Sequence, residues 1–184
     1  MVRAFFALPL PPELLEAVTV AQASLKKLAP DLRWLAEDKV HLTLKFLGYV
    51  QEDAVAALAE GLEQIARDCE PIPARVTGLD AFPIPRRARV LVLRLADAGG
   101  ALAELATALE ALAERFGVAR ETRPFKAHVT LARARPPEDV RALIDAFTFP
   151  ALSSTFDRAR LYQSTLSRAG STYDVRWERM LGGS

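Results

Sequence analysis

The chain has 184 residues, of which 51% are hydrophobic and 26% are charged, and its formal net charge is +1. This length allows one well-packed domain and is short for two independent ones. The near-neutral balance excludes attraction of an anionic partner by the overall field, so any such affinity must come from arginines and lysines placed locally. Cys69 is the only cysteine, which excludes an internal disulfide framework and a zinc ribbon.

The sequence favours a cytoplasmic protein with no membrane partner. A lone cysteine fits a reducing compartment, and no uncharged stretch approaches the length needed to span a bilayer. The apolar run Ala4–Leu10 is short and prolines follow it at once, which is typical of a strand that ends in a turn rather than of a signal peptide.

Two halves of the chain repeat one order of predicted elements. In the first half, a strand, a helix, a histidine-bearing strand and a second helix precede a strand pair: Ala4–Leu8, Glu13–Leu28, the strand around His41–Leu44, Glu52–Cys69, and Ala74–Phe82 with Arg89–Leu95. In the second half the same order recurs: Val90–Leu95, Ala101–Phe116, the strand around His128–Leu131, Pro137–Phe147, and Thr155–Gln163 with Thr172–Leu181. We therefore expect one domain over residues 1–184, duplicated internally with halves around 4–82 and 89–181.

Adjacent strand pairs, without strict alternation of single strands and crossover helices, are typical of antiparallel sheets. The sequence therefore predicts an α+β fold of two pseudo-symmetric lobes, each an antiparallel sheet with helices packed on its outer side. A pseudo-twofold relation between the lobes would make the histidine-bearing strands face each other across a cleft. A substrate would lie between them.

Both histidines of the chain lie in one four-residue pattern, HLTL at 41–44 and HVTL at 128–131. In an extended strand, alternate side chains point to opposite faces, so each histidine shares a face with a threonine and the aliphatic residues share the other. Such a strand is typical of the wall of a polar site backed by core. Two copies in a chain with two histidines predict one shared site.

Longer segments around these motifs resemble a known family. The segments are HLTLKFLG and HVTLAR, FFALPLPPEL at the start, RPFKAHVTL before the second histidine, and LYQSTL followed by STYDV near the end. Together they resemble the two-histidine phosphoesterases, and among these the RNA 2',3'-cyclic phosphodiesterases, historically called 2'-5' RNA ligases. The resemblance covers nearly the whole chain. One departure is Ala127, where the family commonly has proline.

The resemblance implies hydrolysis of RNA 2',3'-cyclic phosphate ends to 2'-phosphates, with ATP-independent 2'-5' RNA ligation as the reverse type of reaction. It assigns His41 as the proton donor to the leaving 3' oxygen and His128 as the proton acceptor from water. From the residues themselves we expect no metal and no cofactor. The expected partner is an RNA with a cyclic phosphate end or a small cyclic nucleotide, and we expect the protein to be a monomer.

The chemistry of ring opening suits these residue types. Histidine is the side chain best able to donate or accept a proton near neutral pH. The hydroxyls of Thr43 and Thr130, fixed beside the imidazoles, are placed to hydrogen-bond the non-bridging oxygens, on which charge develops in the transition state. The family also has an arginine at the position of Arg133, but strand alternation puts that side chain opposite His128 unless a bulge intervenes.

Aromatic residues are candidates for stacking on a nucleobase. Phe6 and Phe46 are the principal candidates, and the resemblance favours Phe6, the second of two phenylalanines on the first strand. Trp34 and Tyr162 are further candidates. Core packing is the competing interpretation for each of these side chains.

Two other classes of protein compete with the esterase. A zinc hydrolase needs a third ligand and commonly a compact histidine and glutamate spacing, which the sequence lacks. A noncatalytic RNA or nucleotide-phosphate binding module would also use a groove, arginines and aromatic rings. Binding of phosphate needs arginine or lysine but not paired imidazoles, so the two histidine motifs favour the enzyme.

Overall fold

The computed structural model describes residues 1–167 and 170–183. Within these ranges the chain forms four α-helices and nine β-strands, in the order β1 Val2–Pro9, α1 Pro12–Leu28, β2 Arg33–Trp34, β3 His41–Val50, α2 Ala54–Arg67, β4 Ile72–Phe82, β5 Ala88–Ala96, α3 Ala101–Glu114, β6 His128–Glu138, α4 Arg141–Ala146, β7 Ser153–Phe156, β8 Arg158–Ser167 and β9 Gly170–Met180. None of the described helices is both long and apolar enough to span a membrane.

The described strands form one antiparallel sheet in the order β7-β4-β5-β6-β3-β1-β8-β9, and the short β2 pairs with β6. We divide this sheet into a first lobe of β3, β1, β8 and β9 and a second lobe of β7, β4, β5 and β6. The lobes meet where Leu42 of β3 pairs with Val129 of β6. The predicted α+β class with antiparallel sheets is thereby confirmed.

Each lobe combines strands from both halves of the chain. β8, from the C-terminal half, pairs with β1 and β9 in the first lobe, while β4, from the N-terminal half, pairs with β5 and β7 in the second. The predicted single strand Thr155–Gln163 is therefore wrong, because the chain changes lobe at Asp157, between β7 and β8. The halves 4–82 and 89–181 thus share an order of elements along the chain, but each lobe of the sheet takes strands from both halves.

The helices cover one face of the sheet and form the hydrophobic core with it. In α1 and α3 the buried residues recur every three or four positions, which is the spacing of one helix face. α2 packs against β8 and β9, and α3 packs against β3 and α2. Gly61 of α2 allows this close approach of α3, because a Cβ there would lie 2.4 Å from a side-chain carbon of Leu112.

The other face of the sheet carries a separate cluster of side chains. Along β1, Phe6 and Leu8 belong to the core under the helices, whereas Phe5 and Ala7 point the other way and cluster with Tyr162 of β8. No α-helix of the described residues contributes to this second cluster. We call this side of the sheet the open face.

Lys45 is the one charged side chain that is buried in the described part of the chain. Its ammonium group donates to Glu110 Oε2 at 2.6 Å and to the carbonyl oxygen of Ala119 at 2.8 Å. Glu110 lies on α3, and its Oε2 also accepts from the backbone N–H of Glu121. The pair therefore ties β3 and α3 to the segment that leads into β6.

Breaking this buried pair should cost more stability than breaking an exposed one. We predict that Lys45→Met lowers the free energy of unfolding by about 3–5 kcal/mol, because the half-buried Glu110 carboxylate then lacks its partner. The double variant Lys45→Met/Glu110→Leu should recover part of the loss. Arg67→Met, which breaks the exposed pair of Arg67 with Glu63, should cost at most about 1 kcal/mol. Urea unfolding measures all three, and equal losses for Lys45→Met and Arg67→Met would contradict the prediction.

Candidate active site

The two motif strands present their side chains in the same way. β3 begins at His41 and β6 at His128, and the first nine residues of the two strands share one burial pattern. Histidine and threonine are half-buried, while the aliphatic residues that alternate with them belong to the core under the helices. The predicted division of faces is thereby confirmed, with the imidazole and the threonine of each strand on the open face.

The junction of the lobes brings the two motifs together. Leu42 pairs with Val129 in an antiparallel ladder, so the residues that flank this pair face each other in reverse order. Each histidine of one strand thus lies opposite the threonine of the other. Each lobe contributes one imidazole and one hydroxyl to the same region of the open face.

A bulge follows each motif. Leu44 in β3 and Leu131 in β6 have no partner in β1 and β5, respectively, although the residues on either side of them do. The extra residue reverses the alternation of faces, so that Arg133 and Phe46, each five residues after a histidine, return to the open face. The sequence placed Arg133 on this face only on condition of a bulge, and the strand has that bulge.

Arg133 supplies positive charge to this region. Its charge contributes to lowering the pKa of His41, across the junction of the lobes. Arg33 of β2 lies directly opposite it in the sheet. Among the described residues no carboxylate forms an ion pair with Arg133. The guanidinium group is therefore available to an anion.

The imidazole of His41 is packed among aromatic rings. It stacks on Phe5 with ring centroids 4.9 Å apart, and Tyr173 meets it edge-on at 5.4 Å. Burial lowers the pKa of His41 to about 4; the backbone carbonyl of Lys39 acts in the opposite direction, and the charges of Arg133 and His128 lower the pKa further. His41 is therefore neutral at pH 7 in the ligand-free protein.

His128 is held by a hydrogen bond to the backbone. Its Nδ1 lies 2.6 Å from the carbonyl oxygen of Lys126. Because a carbonyl only accepts, Nδ1 carries a proton and donates it, and in the neutral ring Nε2 keeps a free lone pair. Burial lowers the pKa of His128, the Lys126 carbonyl raises it, and the charge of Arg94 lowers it. The ring of Phe82 meets the imidazole edge-on at 4.9 Å.

The two imidazoles of this arrangement can accept one proton and donate another. A neutral imidazole with a free Nε2 accepts a proton, and a second imidazole, once protonated, donates one. An anion bound beside the imidazoles favours the protonated form, because an opposite charge nearby raises a histidine pKa. The two threonine hydroxyls and the Arg133 guanidinium share the open face with the imidazoles, and such donors suit the oxygens of a phosphate.

The structure corrects the prediction for Phe6. Its side chain is 0% exposed and lies in the core under the helices, so it offers no ring face to a ligand. Its neighbour Phe5 points to the open face and stacks on His41. Two adjacent phenylalanines carry the same hydrophobic signal, and only the pairing of β1 decides which of them faces the site.

The other aromatic candidates have different surroundings. Phe46 is 56% exposed on the open face, with its ring centroid 5.9 Å from that of Phe5. Tyr162 is buried and stacks on Phe5 at 5.0 Å. Trp34 is half-buried against the core, and its indole N–H donates to the carbonyl oxygen of Ala29. Phe46 is thus the candidate with an accessible ring.

Sequence reasoning missed several neighbours of the histidines. Arg94 of β5 pairs directly with His128, and its guanidinium lies 3.4 Å from Asp80 and 5.8 Å from the centroid of Phe82. The signal for Arg94 is a lone charge at an alternating position of the apolar run VLVLRLA. Phe82 and Tyr173 carried no such signal, because their places beside the imidazoles depend on strands distant in sequence.

The described residues give no support to a metal centre. Within 1–167 and 170–183, no three or more His, Cys, Asp and Glu side chains are grouped so that they could hold a metal ion. The charge of Arg133 lowers the pKa of His41 and the charge of Arg94 lowers that of His128, and such positive charges would repel a metal cation.

Comparison with known proteins finds similarity over most of the chain and not only at the two histidine motifs. The family model of the 2'-5' RNA ligase superfamily matches residues 10–168. Two relatives bear the name RNA 2',3'-cyclic phosphodiesterase. The Escherichia coli protein is 32% identical over 176 residues, which cover 90% of this chain and 94% of the relative. The Thermotoga maritima protein is 29% identical over 182 residues, which cover 98% of this chain and 96% of the relative.

Solved structures share the whole fold. E. coli LigT complexed with 3'-AMP superposes with a TM-score of 0.79 at 28% identity, covering 99% of each chain. The protein TT0787 of Thermus thermophilus superposes with a TM-score of 0.82 at 29% identity, covering 98% of each chain. Since the family model matches most of its length and these relatives align almost end to end, the chain belongs to the 2'-5' RNA ligase superfamily.

Proposed function

We propose that this protein hydrolyses the 2',3'-cyclic phosphate ends of RNA to 2'-phosphates. The observation that carries the proposal is the placement of two imidazoles, each opposite a threonine, at one junction of the open face. The relatives named RNA 2',3'-cyclic phosphodiesterase, which align over most of this chain, support the same activity here. The complex of LigT with 3'-AMP supports recognition of a nucleotide.

In the proposed reaction, water attacks the phosphorus of the cyclic diester and the bond to the 3' oxygen breaks. His128 accepts the proton of water at Nε2, since its Nδ1 already donates to the Lys126 carbonyl. His41 enters the reaction protonated and donates its proton to the departing 3' oxygen. The product carries a 2'-phosphate and a 3'-hydroxyl, and each imidazole ends in the protonation state in which the other began.

The substrate itself helps to protonate His41. In the free protein burial and the charge of Arg133 hold the pKa of His41 low. A bound phosphate diester brings one negative charge, which offsets the charge of Arg133 and favours the imidazolium. Binding of the substrate thus favours the protonated form of His41, which is the proton donor.

The remaining site residues act on the phosphate and the base. Thr43 and Thr130 donate hydrogen bonds to the non-bridging oxygens, which gain charge in the transition state. Arg133 holds the same oxygens through a charge-assisted contact. Phe46 offers its exposed ring to the base of the terminal nucleotide, in the role first expected also of Phe6.

Ligation is the same ring-opening step with a different nucleophile. A 5'-hydroxyl in place of water would join the 2'-phosphate of one RNA to the 5' end of another without ATP. Hydrolysis dominates in dilute solution, because water is far more concentrated than any RNA end. We further propose a cytoplasmic monomer without metal or cofactor, since a lone cysteine suits a reducing compartment and two imidazoles suffice for both proton transfers.

Removal of either imidazole should remove most turnover. We predict that His41→Ala and His128→Ala each lower kcat by roughly 10²- to 10⁴-fold on an RNA with a 2',3'-cyclic phosphate end, the effect typical of losing a positioned acid or base. Product analysis should identify a 2'-phosphate, and turnover should persist in EDTA. Circular dichroism and thermal unfolding check that the variants keep the fold.

Each contrary result has a definite meaning. Near wild-type turnover by either folded variant would contradict the paired-imidazole mechanism. A 3'-phosphate product would reverse the assignment of donor and acceptor. Loss of activity in EDTA would favour the zinc hydrolase, and binding without turnover by the wild type would favour the noncatalytic module.

The maximum of kcat/KM should occur at a lower pH than is usual for a reaction catalysed by histidines. The productive form has His41 protonated and His128 neutral, so kcat/KM should follow a bell whose limbs report the pair. Because the pKa of His41 is lowered to about 4 and that of His128 is also lowered, both limbs should fall below about pH 6.5. Protonation of His41 is lost as the pH rises, so kcat/KM declines towards neutral pH.

Bound substrate should move these limbs. The phosphate charge raises the imidazole pKa values, so the profile of kcat should extend to higher pH than that of kcat/KM. Arg133→Gln removes a charge that lowers the pKa of His41, and its kcat/KM bell should shift to higher pH. Rates measured between about pH 4 and pH 9 decide this, and a rate that climbs steadily to the alkaline end would contradict it.

Kinetics should separate the arginine from the threonines. We predict that Arg133→Ala raises KM substantially, because it removes a charge-assisted contact from both ground and transition states. Thr43→Val and Thr130→Val should lower kcat with smaller effects on KM. Arg133→Lys should restore only part of the loss, since an ammonium lacks the planar fork. Arg115→Ala, at the exposed end of α3, is the control. Unchanged kinetics for Arg133→Ala would mean that Arg133 does not contact the phosphate.

A further inference from the structure

The open face of the first lobe continues beyond the histidine as a row of side chains that the proposed chemistry does not fully use. Along β3 the residues that pair with alternate residues of β1 are His41, Thr43, Phe46 and Tyr49. Because alternate residues of a strand share a face, these four side chains point to the open face together. Successive positions in the row are about 7 Å apart, two residues along the neighbouring strand.

The far end of this row is aromatic and accessible. Phe46 is 56% exposed and Tyr49 is 62% exposed. Next to Phe46, the rings of Phe5, Tyr162 and Tyr173 form a packed aromatic floor, to which no described α-helix contributes. Large exposed rings that are continuous with a catalytic site are typical of a binding surface.

An arginine of the neighbouring strand pairs with Tyr49 in the sheet. Arg3 of β1 pairs directly with Tyr49, and its guanidinium donates to Ser164 Oγ at 3.0 Å. Among the described residues no carboxylate forms an ion pair with Arg3. An exposed ring next to an unneutralised arginine is the combination that binds single-stranded nucleic acid, through stacking and through phosphate contact.

The second lobe does not repeat this surface. Its residue equivalent to Phe46, five positions after the histidine, is Arg133, and its residue equivalent to Tyr49, eight positions after the histidine, is Pro136. The lobes therefore differ in chemistry at matching places. The second lobe offers charge for the reacting phosphate, and the first offers rings for bases.

We propose that Tyr49 and Arg3 form a subsite for the nucleotide upstream of the cyclic end. The base of that nucleotide stacks on Tyr49, its phosphodiester link to the terminal nucleotide contacts Arg3, and the terminal base lies on Phe46. The preferred substrate is accordingly an oligonucleotide end rather than a free cyclic mononucleotide. This inference rests on the proposed function and deepens it.

The test compares two substrates, a trinucleotide ending in a 2',3'-cyclic phosphate and a nucleoside 2',3'-cyclic phosphate. The wild type should have the higher kcat/KM for the trinucleotide. Tyr49→Leu should lower that value by about 5- to 150-fold, the effect of losing one stacked base, and leave the mononucleotide within about twofold. Tyr49→Phe, which keeps the ring, should behave as the wild type.

Arg3→Gln tests the phosphate contact. It should lower kcat/KM for the trinucleotide only and reduce the dependence of that value on salt, because one counterion-releasing contact is lost. Arg115→Gln, which removes an equal charge at the exposed end of α3, should change neither substrate. Equal effects of Arg3→Gln and Arg115→Gln would overturn the phosphate contact.

Binding provides a readout that does not depend on turnover. Fluorescence anisotropy with a trinucleotide ending in a 2'-phosphate should show tighter binding than with a nucleoside 2'-phosphate, and Tyr49→Leu should remove the difference. Absent turnover with this binding pattern would reject the proposed hydrolysis and keep the subsite. Equal weakening of both ligands, or of neither, would overturn the subsite, as would a wild-type dimer that Tyr49→Leu dissociates in light scattering.

Discussion

The pairing of Leu42 with Val129 is the constraint on which the site depends. It is the point at which two lobes of four strands become one sheet, and both side chains are fully buried in the core. With these residues committed to the core, the side chains before and after them must point to the open face. On that face the packing around the imidazoles removes water from them, and this desolvation lowers their pKa values.

Two bulges make the two sides of this site chemically different. Each motif strand inserts one extra leucine after the threonine and brings the fifth residue back to the open face. In one strand that residue is Phe46, and in the other it is Arg133. A nearly symmetric framework therefore holds an asymmetric substrate, with rings on one lobe and positive charge on the other.

The bulge in β3 also has a structural consequence. It turns Lys45 towards the core, where the equivalent residue of β6 is the small Ala132. The buried ammonium is satisfied by Glu110 and by the carbonyl of Ala119, and the latter lies in the segment that leads to His128. Through this contact the strand that bears one histidine also supports the approach to the other. The buried charge is tolerated because it is paired with a carboxylate and hydrogen-bonded to a carbonyl oxygen.

Local patterns in the sequence were sufficient for the antiparallel α+β class, the two motif strands and the faces of their histidines and threonines, because alternation along a strand is a property of neighbouring residues. Contacts between distant segments decided the rest. Strand pairing placed Phe5 rather than Phe6 on the open face, and a bulge rather than simple alternation placed Arg133 there. The exchange of β8 and β9 into the first lobe brought Tyr162 and Tyr173 to His41. The low pKa values follow from this packing, since desolvation depends on everything that surrounds the imidazoles and not on the strand that carries them.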